Sequence, residues 1–175
     1  MPDFFFSKAT GRNILVGIVL ILIINFVVFP YFPRLFGISI PLSSILDLQF
    51  GFENDFVRRL LNILGEKGRE VYFLSTLCVD IPYAIIYGFT YALSMAYLLK
   101  RKAMYSFRFL VLLPLLIGFF DLLENFGILY LLQNPFTYDE KRVFYISWAN
   151  KMKWIFSLLT ILSFLFVWIK PTKKT

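Results

Sequence analysis

Residues 119–132 read FFDLLENFGILYLL, and how they are read decides the fold. Apart from Asp121, Glu124 and Asn125, the run is apolar enough to sit in hydrocarbon. It belongs to a longer apolar stretch, from about Phe107 to Leu132, which exceeds the ~20 residues that cross ~30 Å of hydrocarbon. Working outward, three more such stretches run from about Asn13 to Phe29, Tyr72 to Leu99 and Val143 to Ile169. The first is expected to end at Pro30 and Pro33, which deny the helix its amide donors. No small-residue cleavage pattern follows it, so it is expected to stay attached rather than act as a signal peptide.

Composition agrees. Of the 175 residues, 59% are hydrophobic and 20% aromatic, and the mean hydropathy is +0.72. A soluble domain carries roughly 45–50% apolar residues. The fold class expected is all-α: one polytopic membrane four-helix bundle over residues 1–175, with a short amphipathic interfacial helix at about 54–64 in the first loop. In that helix Phe56, Val57, Leu60, Leu61 and Leu64 share one face, and Arg58, Arg59 and Asn62 the other. Asn54 is placed to cap its start and Gly65 to end it. The preceding ISIPLSSILDLQFGF is too apolar for a solvated loop and too interrupted to span, so it is expected to lie in the interface or dip back against the helices.

The formal charge of +7 does not point to nucleic acid, because the basic residues flank apolar spans. The partners expected are membrane lipids and an amphiphilic small molecule, with no nucleic acid and room for a homo-oligomer. With the N-terminus cytoplasmic, nine Lys and Arg fall on each side of the membrane. The inner nine crowd the span ends, which favours N- and C-termini in the cytoplasm. The single cysteine, Cys78, reads as a small buried hydrophobe. Histidine is absent, which removes histidine-based zinc sites, Ser-His and Cys-His nucleophile pairs and bis-histidine haem. No cofactor is called for.

The polar residues are not scattered. In the second span Thr76, Asp80, Tyr83, Tyr87, Tyr91 and Ser94 step by three or four, so they share one helix face. Asp121, Glu124 and Asn125 do the same in the third, and Asn150, Lys153, Ser157, Thr160 and Ser163 in the fourth. Lipid offers no hydrogen bonds, so these edges must turn inward. At ~1.5 Å per residue, Asp80 lies about 12 Å, Glu124 about 12 Å and Lys153 about 15 Å from the same membrane face. A charged residue at mid-membrane costs about 2.5–3.5 kcal/mol on insertion scales. Lys153, with Lys151 as a second candidate, is therefore expected to pair with a carboxylate, leaving another acid to Tyr83, Asn125 or water.

Asp80, Asp121, Glu124 and Lys153 are the candidate catalytic groups. Tyr83, Tyr87, Asn125, Asn150 and Trp154 are the candidate ligand-binding groups, with no metal assigned. The chemistry implied is acid-base work on a lipid-like molecule, or stabilisation of its cationic centre, in the outer half of the bilayer. Two alternatives stand beside it: a proton-coupled transporter or channel subunit with the acids as relay, and a structural or assembly protein with no catalytic site.

Four spans in a short chain, LDLQ after the first span, VDIPY in the second and a basic C-terminal tail together resemble the EXPERA family. That family includes sterol isomerase and sigma-2-receptor-type proteins. The resemblance implies a sterol or lipid ligand. The D-x-x-E-N of the third span departs from the family pattern, and Asp47 stands well past the end of the first span.

Overall fold

The computed structural model describes residues 2–37 and 45–171. Among these residues the chain is all-helical. A short α1 (Pro2–Lys8) precedes four long helices, α2 (Gly11–Leu35), α3 (Asn54–Arg101), α4 (Tyr105–Gln133) and α5 (Glu140–Ile169). Each of the four is long and apolar enough to cross a membrane.

One of the sequence boundaries shifts, for a reason that recurs in α3. α2 does not stop at Pro30 and Pro33 but runs on to Leu35, and α3 runs through Pro82. Each proline is preceded by a π-helical stretch, Ile24–Val28 before Pro30 and Thr76–Asp80 before Pro82. A proline ring crowds the carbonyl four residues back, and a widened turn relieves it without ending the helix. The outward side of the second π stretch carries Cys78, which is exposed rather than buried as its sequence suggests.

The amphipathic segment is the first arm of α3. Val57, Leu60 and Leu61 are buried, while Arg58, Arg59 and Asn62 are exposed. The arm breaks from the rest of α3 at Gly65, whose φ of 61° and ψ of −174° suit only glycine. Arg69 Nη1 donates to the Leu61 carbonyl at 2.9 Å, satisfying an acceptor left open at the break. Asn54 does not cap the start. The boundary residue is Glu53, with no side-chain cap bond, and Asn54 Oδ1 instead accepts from the Tyr138 hydroxyl at 3.0 Å. With the Arg58–Glu140 ion pair, this ties the arm to the turn between α4 and α5.

The long helices pack in chain order, α2 on α3, α3 on α4 and α4 on α5, while α2 and α5 make no extended contact. Small residues let α3 and α4 approach closely: a Cβ at Gly118 would stand 3.0 Å from the Ala84 carbonyl oxygen and 3.6 Å from Gly88 Cα. That close seam sets α3 and α4 side by side just where their polar edges meet. An apolar cluster closes one end of the bundle, with Leu46, Val57, Leu61, Tyr72, Ile128 and Val143 among its members. Leu46 comes from the first loop, so residues 45–52 do dip back against the helices. Residues 38–44 of that loop lie outside the described residues.

Candidate functional site

Lys153, on the inward face of α5, is the centre of the site and is buried. Its ammonium stands 2.6 Å from Glu124 Oε2 and 3.2 Å from Asp121 Oδ1, both on α4. The i, i+3 spacing of those acids lets one cation face both. A third carboxylate, Asp47, pairs with the same ammonium through Oδ1, and the Asp47 carbonyl accepts from it at 3.1 Å. One lysine therefore holds three acids from two elements, where the spacing argument led to a single pair.

Two further carboxylate oxygens are met by named donors. Tyr87 on α3 donates its hydroxyl to Asp121 Oδ2 at 2.8 Å. Asn150 Nδ2, one turn before Lys153, donates to Glu124 Oε1 at 2.8 Å. In a low-dielectric interior each such bond matters, because an unpaired buried carboxylate oxygen carries its full desolvation cost.

The other candidates are placed around this knot. Asp80 stands within electrostatic reach of Asp47, Asp121 and Lys153 but is not ion-paired to Lys153. The Tyr83 hydroxyl accepts from Asn25 Nδ2 on α2 at 2.7 Å rather than serving an acid. Asn125 is buried on α4, and neither of its amide atoms has a hydrogen-bond partner among the described residues. Trp154 turns to the loop, its indole N–H donating to the Gln49 carbonyl at 2.8 Å. Lys151 lies outside the knot, exposed, with its alkyl stem beside Gly51.

The loop is part of the site. Gly51 N–H donates to Asn150 Oδ1 at 2.6 Å, and Phe52 N–H to Ser147 Oγ at 2.9 Å. Ser147, Asn150, Lys153 and Trp154 thus form a row on α5 that grips residues 47–52. Oxygens of Asp47, Asp121 and Glu124 lie within 4.8 Å of one another, the kind of triad that suits a hard cation. The cation they surround is the Lys153 ammonium. Asp80 is not a member of this triad, whose third carboxylate is Asp47.

Sequence spacing did not find Asp47, Asn25, Ser147 or Gly51. Asp47 was visible as an acid inside an apolar, non-helical stretch, LDLQFG, and that oddity was its signal.

An aromatic row adjoins the acids. Tyr83 and Tyr87 have ring centroids 5.2 Å apart, Tyr87 and Tyr91 5.8 Å, and Phe29 of α2 meets Tyr83 at 5.3 Å. The row runs from Phe29 through Tyr83 and the Asp121 partner Tyr87 to Tyr91, which is partly open to the surface.

Comparison of the chain with protein-family models, curated proteins and solved structures finds no significant match. The EXPERA resemblance therefore rests on the residues quoted for it alone.

Proposed function

We propose that this chain is a multi-pass membrane protein whose buried carboxylate, lysine and tyrosine cluster binds a lipid-like amphiphile, or acts on its polar head by acid-base chemistry. Support for the membrane comes from the outer faces of the bundle. Leu15, Val19 and Phe26 of α2 and Leu158, Ile161 and Trp168 of α5 stand exposed, apolar faces that water would penalise and lipid would not. Lys102 Nζ donates to the Trp168 and Lys170 carbonyls at 3.1 and 2.8 Å, gathering Lys100, Arg101, Lys102 and Lys170 at one end. That basic end supports a cytoplasmic location for both termini.

One observation carries the site reading: three carboxylates face one ammonium in a buried layer. Fully ionised, those groups sum to −2. A staple between helices needs one acid per lysine, and the surplus is what proton exchange with a head group needs. The tyrosine row offers the way in, since a head group moving along it from Tyr91 meets the Tyr87 hydroxyl and Asp121 first.

A second reading, a purely structural knot, is favoured by the way Lys153 joins α4, α5 and the loop at once. Native mass spectrometry of Asp80→Asn, Asp121→Asn and Glu124→Gln separates the two. A working site loses co-purified amphiphile in variants that stay folded. Unchanged lipid retention in all three, with a large fall in melting temperature, leaves only the knot.

A further inference from the structure

We infer that Asn125 on α4, with Thr76 and Asp80 on α3, forms a second polar site that takes the neutral hydroxyl head of a lipid alcohol. The inference rests on the amphiphile reading above and names the ligand class and the groups that meet its head.

Asn125 and Thr76 are each 1% exposed. Neither the amide Nδ2 and Oδ1 of the first nor the hydroxyl of the second has a hydrogen-bond partner among the described residues. The two face each other across one seam. Gly88 meets Pro114 and Gly118, and Gly118 meets Ala84 and Gly88, so α3 and α4 run antiparallel there. Asn125 lies two turns past Gly118, on the stripe of α4 that brings Asp121 to Tyr87. The same distance back along α3 from Ala84 and Gly88 is the widened turn Thr76–Asp80, against which α4 packs. The Asp80 carboxyl lies beside the Thr76 hydroxyl, is not ion-paired to Lys153, and is partly open to the surface. It stands one turn beyond Tyr83, so the tyrosine row leads to it.

The unmet groups define what fits. Hydrocarbon has nothing to give them, and a buried amide or hydroxyl without a partner is destabilising. Asn125 presents donors and an acceptor, Thr76 a hydroxyl that is both, and Asp80 a carboxyl. A metal ion or an ammonium has no lone pair for Asn125 Nδ2. A phosphate sets acceptors against the Asp80 carboxyl, and the nearby Lys153 is already held by three acids. A neutral hydroxyl accepts from Asn125 Nδ2 while donating to Asp80 or to Asn125 Oδ1. That match is independent of the charge on Asp80, because a protonated carboxyl still accepts through its carbonyl oxygen.

Four probes with one tail and different heads test this: oleyl alcohol, its methyl ether, oleylamine and oleyl phosphate. Each is titrated into the full chain in phosphatidylcholine nanodiscs and its retention read by native mass spectrometry. The alcohol should be held about tenfold more tightly than the ether, which has no proton to donate, and more tightly than the amine or the phosphate. Asn125→Leu and Thr76→Val should each bring the alcohol down to the level of the ether. Without a probe, Asn125→Leu should melt no lower than the parent, because it removes two unmet groups. Thr76→Val, close in shape to the parent, carries the test if Asn125→Leu fails to fold. Equal retention of alcohol and ether by the parent overturns the hydroxyl site, with water as its occupant, and leaves the amphiphile reading standing. Tightest retention of the amine overturns it in favour of a cation. An alcohol preference that survives both substitutions overturns the placement, and retention of none of the probes removes the amphiphile reading as well.

Discussion

Asn150 donates from Nδ2 to Glu124 Oε1 across 2.8 Å, and both side chains are wholly buried. The same amide accepts from Gly51 N–H through Oδ1, so one residue on α5 joins the acid beneath to the loop above.

Replacing it should break both links. Asn150→Leu keeps the volume but orphans a carboxylate oxygen and a backbone amide, at roughly 1–3 kcal/mol each. We expect a lower melting temperature in detergent together with a selective loss of exchange protection at Gly51. Protection equal to the parent at Gly51 would show that the loop is held by something else.

Lys153→Met removes the cation that, among the described residues, the three carboxylates share. Breaking a buried ion pair by deleting one partner costs roughly 3–5 kcal/mol, because the remaining charge stays uncompensated. Adding Glu124→Gln to Lys153→Met should recover part of that loss, since it takes away one stranded acid. A double variant as unstable as the sum of the two single changes would mean the groups are not coupled.

Gly118→Val probes the seam that sets the acids in register. Its first added carbon already meets the Ala84 carbonyl at 3.0 Å, so α3 and α4 must part, at roughly 1–3 kcal/mol. Gly11→Ala, with nothing within 4 Å, serves as the control and should lose no stability. Equal melting temperatures for the two would rule out the close approach.

Much of the site was legible because helices convert sequence into direction. A step of three or four places residues on one face, and a polar face among apolar ones must turn inward, which brought Asp121, Glu124, Asn150 and Lys153 to one layer. Asp47 escaped this logic. It stands 106 positions from Lys153 in a stretch without helical period, and no local rule couples such a loop residue to a distant helix. Asn25 escaped for another reason: its partner Tyr83 was assigned to the acids, and the π stretch that carries Asn25 alters the register a regular helix would give. The end of the first span misled where Pro30 and Pro33 were taken as stops, since the widened turn at Ile24–Val28 lets the helix run on through them.

The order in which the knot is strung has a consequence for how the chain is made. Acids at 47, 80, 121 and 124 all leave the ribosome before the lysine at 153 that answers three of them. In a nascent chain halted after α4, Asp121 and Glu124 lack the ammonium that pairs with both in the finished bundle.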